Sequence, residues 1–208
     1  MFAPGAGRPL GAVGGVLLVV GALVVLGVVP DRTVAAAGLV VLAALWVFLA
    51  VFFRDPERAP GAGVVSAADG RVRAVERDGE RWRISVFMNV TDVHVNRLPV
   101  DARVDAVADA GSGFRAAYRP DAQHNVQRAY RLQTSLGPVE VVQMTGVVAR
   151  RLVSFVRPGD ARRKGDRFGM IVLGSRVDVL LPAATATPAV RVGDRVRAGT
   201  STIARELP

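Results

Sequence analysis

Two stretches without a charged side chain, residues 11–29 and 33–53, fill most of the first quarter of the chain and are separated only by Pro30, Asp31 and Arg32. Each is close to the ~20 apolar residues that a helix needs to cross a bilayer. The pair reads as a transmembrane helical hairpin with Pro30, Asp31 and Arg32 as its turn, and with Trp46, Phe48, Phe52 and Phe53 in or near an interfacial belt. A cleaved signal peptide is the competing reading. It fits poorly, because the first run is followed directly by a second and Arg8 is a weak basic leader. Arg8 lies outside one end of the hairpin and Arg54 and Arg58 outside the other, while the connection carries one charge of each sign. A bias of basic residues toward the cytoplasmic side then puts both ends, and all that follows, in the cytoplasm.

The chain of 208 residues leaves room for one compact domain behind such an anchor. It carries 27 Lys and Arg against 18 Asp and Glu; with Arg8, Arg32 and Asp31 set aside, the remainder holds 25 against 17, a net charge of +8. That balance suits an anionic membrane surface, to which each nearby basic residue adds about 1 kcal/mol. Nucleic acid is the rival partner for a basic chain, but aromatic residues are few, the arginines are scattered and no recognition motif is present. No nucleic-acid partner is expected. The absence of cysteine rules out disulfides and thiolate chemistry, and with only His94 and His124 a zinc site would need several carboxylates. No metal is expected.

After a Pro, Gly and Ala-rich linker at 54–63 the pattern changes to short strands. Residues 64–65, 71–76, 81–88 and 139–144 mix β-branched residues with alternating polarity between Asp-Gly, Gly-Pro or Asp-rich turns. Residues 98–107 extend this pattern, 108–133 read as a long loop or flap, 146–156 fit a helix or a strand, and 157–167 form a basic turn region. The fold class expected is mainly β.

Within 168–182, FGMIVLGSRVDVLLP, a β-prone run is interrupted at Leu173, Gly174, Ser175 and Arg176. A Gly-Ser bond can occupy a tight, strained turn, because glycine accepts backbone angles closed to other residues and leaves its carbonyl open to attack. The Ser175 hydroxyl is then placed to attack the Gly174 carbonyl. An ordinary turn is the simpler alternative for the dipeptide alone.

Together with FFRDPERAP at 52–60, VVSAADG at 64–70, VFMNVTDVHVNRLPV at 86–100 and GVVARRL at 146–152, this stretch resembles the short-form phosphatidylserine decarboxylases, including the archaetidylserine decarboxylases. The blocks run in family order from about Phe52 to the C-terminus. The resemblance implies a proenzyme cut between Gly174 and Ser175 into a β chain of residues 1–174 and an α chain of residues 175–208, with Ser175 converted to a pyruvoyl group. Its ketone forms a Schiff base with the serine amine of an anionic phospholipid, takes up electrons as carbon dioxide leaves, and releases the ethanolamine lipid. Relatives of this kind also suggest a homodimer.

The same resemblance assigns Asp69 to maturation, where a hydroxyl needs a hydrogen-bonded base; a simple Asp-Gly turn is the alternative. His94 serves in maturation, in protonating the carbanion or in both, histidine being suited to proton transfer near neutrality. Arg97 stands where long-form relatives carry a second histidine, which leaves the maturation base open. Arg150 and Arg151 match an Ala-Arg-Arg block and are candidates to hold a carboxylate or phosphate, with Asn96 and Arg97 as weaker ones. His124 lies where relatives have an Asn-Glu-Arg block; the acidic residue is missing here, so it reads as a loop residue.

Residues 189–206, AVRVGDRVRAGTSTIARE, resemble the closing hairpin of lipoyl- and biotinyl-carrier domains, and 64–76 resemble their opening strands. The implied architecture is barrel-sandwich-hybrid-like, with N- and C-terminal halves interleaved at 64–208. A membrane adaptor with an intact Gly-Ser turn is the non-enzymatic alternative.

Overall fold

The computed structural model describes residues 1–29, 31–113, 124–146, 151–172 and 175–207. The chain divides into two units, Met1–Pro56 and Glu57–Pro208.

The first unit is a helical hairpin of α1 (Gly7–Val25) and α2 (Arg32–Phe52), both long and apolar enough to cross a membrane. Asp31 caps α2 by accepting hydrogen bonds from the Thr33 and Val34 amides at 2.9 and 3.1 Å, which satisfies donors that the first turn leaves open. Trp46 of α2 lies against Gly14 of α1. The chain start returns to the end of α2, with the Ala3 amide donating to the Phe53 carbonyl and the Asp55 amide to the Met1 carbonyl, each at 2.8 Å. Leu18, Val19, Val40, Val41 and Val47 stay exposed on this unit. An apolar surface so continuous is suited to lipid rather than water.

The second unit is built from β1 (Val64–Val65), β2 (Gly70–Asp78), β3 (Arg81–Met88), β4 (Val95–Arg97), β5 (Ala102–Ala110), β6 (Gln127–Thr134) and β7 (Gly137–Thr145). It continues with β8 (Arg151–Ser154), β9 (Ala161–Arg162), β10 (Arg167–Val172), β11 (Ser175–Pro182), β12 (Ala186–Pro188), β13 (Arg195–Val196) and β14 (Thr202–Glu206). An eight-stranded antiparallel sheet runs β13-β2-β3-β11-β7-β6-β5-β9, and two three-stranded sheets run β1-β14-β12 and β4-β10-β8. Alternation decides which side chains meet the core: Val177 and Val179 of β11, Val86 and Ile84 of β3 and Val141 of β7 share its buried face with Leu132, Phe168, Ile171 and Ile203. Each such side chain contributes about 1.5–3 kcal/mol on burial.

The unit is mainly β, as expected, and its two ends interleave: β1 pairs with β14 and β2 with β13. The tail does not close on itself as a hairpin, however. β13 joins the large sheet and β14 a small one, because their partners come from the start of the domain. The loop expected over 108–133 is shorter at both ends, since β5 continues to Ala110 and β6 begins at Gln127; residues 114–123 lie outside the described residues. Of the ambiguous segment 146–156, residues 151–154 form a strand and 147–150 lie outside the described residues.

Candidate active site

Ser175 is the first residue of β11, the strand that lies between β3 and β7, and it stands opposite Met88 on one side and Thr145 on the other. Three residues before it, at Val172, β10 ends in the small sheet with β4 and β8. Ser175 therefore opens the large-sheet strand that follows a strand of the small sheet; Gly174 itself lies outside the described residues. Ser175 is fully buried on the core face, whereas Arg176 turns to the other face and pairs with buried Asp178 through hydrogen bonds of 2.7 and 2.6 Å.

The Ser175 hydroxyl donates to the thioether of Met88, Oγ to Sδ 3.3 Å, and the same sulfur receives Asn96 Nδ2 at 3.7 Å. Asn96 Oδ1 accepts from Gln143 Nε2 at 2.7 Å, and Gln143 Oε1 accepts from the Tyr130 hydroxyl at 3.1 Å. Gly169 of β10 makes room for this line. A Cβ there would stand 2.7 Å from the Val153 carbonyl oxygen, 2.9 Å from Gln143 Nε2 and 3.2 Å from Tyr130 Oη. Only glycine lets the small sheet approach so closely.

His94 is fully buried just ahead of β4, beside the end of β10, where its carbonyl accepts from the Ile171 amide at 3.3 Å. Its Nδ1 lies 2.9 Å from the Asp92 carbonyl oxygen. A carbonyl can only accept, so Nδ1 carries the proton and Nε2 is the basic nitrogen of the neutral ring. Asp92 shapes this turn, its carboxylate accepting from the Asn89 amide at 2.8 Å and from Arg195 at 3.2 Å.

Asp69 precedes β2 at the same end of the large sheet. The next residue, Gly70, packs on the Phe87 carbonyl and on Met88, and Met88 faces Ser175, so Gly70 and Ser175 are two strands or about 10 Å apart. The buried Asp69 carboxylate is held by Arg58 in a bidentate pair, at 2.5 and 2.8 Å, and by the Ala198 amide at 2.8 Å.

Asn96 and Arg97 are neighbours on β4 and point apart: Arg97 is buried and its guanidinium donates to the Gly165 carbonyl at 3.0 Å. Arg151 of β8 is exposed, stands opposite Val172 at the end of β10, and lines a cavity of about 360 Å³ with Asp109, Gly111, Val126, Arg128 and Leu152. Arg150 lies outside the described residues. His124 is exposed and its carbonyl accepts from the Gly113 amide at 2.8 Å. Among the described residues, no group of three or more His, Cys, Asp or Glu side chains is disposed to hold a metal ion.

The profile of the family described as phosphatidylserine decarboxylase matches residues 45–204. The chain belongs to the phosphatidylserine decarboxylase family. The phosphatidylserine decarboxylase proenzyme of Thermobifida fusca is 44% identical over 161 residues, covering 76% of this chain and 73% of that one. A relative from Halobacterium salinarum, provisionally named an archaetidylserine decarboxylase proenzyme, is 44% identical over 170 residues, covering 80% and 85%. The phosphatidylserine decarboxylase proenzyme of Aromatoleum aromaticum is 43% identical over 175 residues, covering 79% and 80%.

Within this family member, sequence reasoning overlooked Met88, Tyr130 and Gln143. The signal was phase. Gln143 is in step with Val139 and Val141, and Tyr130 with Leu132, so each is a polar group on a core face, where it must find a partner.

Proposed function

We propose that this chain is a membrane-associated decarboxylase that removes the carboxylate from the serine head group of a phospholipid, phosphatidylserine or archaetidylserine, and leaves the ethanolamine lipid. The observation that carries the reading is Ser175: a buried serine that opens β11 of the large sheet, directly after Gly174, in a chain of the phosphatidylserine decarboxylase family. The relatives are named as proenzymes, which supports processing at this bond. Attack of the Ser175 hydroxyl on the Gly174 carbonyl replaces the amide by an ester; elimination then frees the Gly174 carboxylate and separates residues 1–174 from 175–208, and the dehydroalanine left at 175 takes up water and loses ammonia to become the pyruvoyl group. The pyruvoyl group formed from Ser175 supplies an electrophilic carbonyl that binds the substrate amine and accepts the electron pair left by departing carbon dioxide.

The surrounding residues fit such a group. Asn96 brings an amide donor to the sulfur that also holds the Ser175 hydroxyl. His94, oriented through Nδ1, is assigned the holding or returning of a proton. Asp69 belongs to maturation; its bond to the Ala198 amide and its pair with Arg58 tie the entry to β2 to the chain that follows Ser175. Arg151, beside the end of β10 and exposed, is suited to the anionic head group, with Arg150 next to it in sequence. The apolar hairpin of residues 1–53 anchors the protein, residues 54–63 link it, and the domain at 64–208 works at the cytoplasmic face of the cell membrane.

Intact-mass measurement and incubation with both serine lipids test this reading. Two chains divided at 174/175, a ketone on the second, and release of carbon dioxide with ethanolamine lipid are expected. A single uncut chain that releases no carbon dioxide would sink it in favour of a non-catalytic membrane adaptor.

A further inference from the structure

The buried polar line that ends at Ser175 has a direction. An amide has one accepting and one donating end, so whichever group faces its oxygen decides where its NH2 points. The Tyr130 hydroxyl donates to Gln143 Oε1, which turns Gln143 Nε2 toward Asn96 Oδ1; that bond in turn leaves Asn96 Nδ2 on the side of Met88 and Ser175. All five residues are fully buried, so no bulk water exchanges with a turned amide. Reversing one amide alone would set oxygen against oxygen, at about 1–3 kcal/mol, and reversing both would make the Tyr130 hydroxyl accept from Gln143 and take the Gln143 oxygen away from its buried proton. Burial also holds the Tyr130 phenol above its ordinary pKa, against smaller opposing effects of Ser154 and Arg128, which keeps the proton that starts the line. At the far end, a thioether is a weak acceptor, so the Asn96 NH2 is not committed to a strong bond.

We propose that Tyr130 and Gln143 are positioning residues that lock the Asn96 amide with its NH2 toward residue 175, giving the carbonyl formed there a fixed hydrogen-bond donor. The inference rests on the reading of Ser175 as the residue that acquires the carbonyl. A donor held in advance polarises a carbonyl for attack by an amine without reorganisation during the reaction.

Gln143→Glu is the decisive variant. A carboxylate accepts from Tyr130 but cannot donate to Asn96 Oδ1, so Asn96 must turn and present its oxygen to residue 175. Tyr130→Phe, nearly isosteric and apolar, releases the same lock more gently. The readouts are the fraction cut at 174/175, the rate of oxime formation with hydroxylamine per ketone, the carbonyl stretch by difference infrared spectroscopy, and kcat and KM separately. Losing one preorganised donor should slow oxime formation per ketone on the order of tenfold or more in Gln143→Glu and about threefold in Tyr130→Phe. The carbonyl stretch should move to higher frequency, and kcat should fall while KM holds. Matured Gln143→Glu with wild-type ketone reactivity and carbonyl stretch overturns the proposal. If that variant does not fold, an unchanged Tyr130→Phe overturns it by the same readings. A wild-type protein that forms no ketone instead overturns the underlying reading, and the relay with it.

Discussion

Asp69 and His94 differ in how their side chains are committed. Both oxygens of Asp69 are occupied by Arg58 and one also by the Ala198 amide, whereas His94 is fixed through Nδ1 and carries its basicity on Nε2. In the proposed scheme Asp69→Asn keeps an acceptor for the Ala198 amide but loses the ion pair, and uncut precursor should accumulate on denaturing gels. His94→Ala should lose lipid turnover even in the fraction that matures, when rates are expressed per ketone; normal turnover there would take the histidine out of decarboxylation. Ser175→Ala should remain one chain by intact mass, and a cut at the same bond would disprove serine-driven processing. Gly169 gives a test of packing instead of chemistry. A Cβ only 2.7 Å from the Val153 carbonyl oxygen must push β10 away from Gln143 and Tyr130, so Gly169→Ala should cost about 1–3 kcal/mol in chemical denaturation. An unchanged midpoint would mean that the two sheets are less tightly joined there.

Between β5 and β6, Asp109 and Arg128 form a bidentate pair at 2.5 and 2.7 Å, and the hydrogen bonds from Arg128, followed by its charge, hold the Asp109 carboxyl below its usual range despite some desolvation. A depressed folded-state pKa contributes stability above the unfolded value, and that contribution is lost as pH falls through the folded value. The pair is partly exposed and screened, so the effect should be small. The stability difference between the wild type and Asp109→Asn should be present near neutrality and shrink as the solution is made acid below the ordinary carboxylate range, measured by denaturant titration at each pH. A difference that persists unchanged in acid would show that the pair acts through packing. Strands such as β2, β3 and β7 were legible because β-branched residues recur among polar ones between turn residues. The pairing of the tail was not, since Arg195 meets Arg71 across more than half the chain and local pattern carries no record of such a partner. At the candidate site, Ser175, His94 and Asn96 were picked out by their motifs and the fold brings Ser175 and Asn96 to one sulfur, while Gln143 became a buried partner only through the small sheet packed over it.

The helical hairpin and the β unit make separate demands on the whole molecule. Deleting residues 1–53 removes both apolar helices and none of the proposed catalytic residues, so the remaining domain should still process itself. Its binding to anionic vesicles should become salt-sensitive, because only surface charge would remain to hold it; binding that resists salt would contradict the assignment of the anchor. The position of β11 has a consequence for the history of the protein. It is the fourth of eight strands, bonded on both sides by strands that precede Ser175, and β13 and β14 likewise pair with the earlier strands β2 and β1. Scission before Ser175 would leave this arrangement intact, but it would abolish the covalent tether that brought the strands together. The precursor finds its central strand at the high effective concentration of a single chain, whereas a denatured mature pair must find it by collision. Renaturation should thus be independent of dilution for Ser175→Ala and fail progressively on dilution for the cut protein, which makes maturation a step that the molecule can survive but not rehearse.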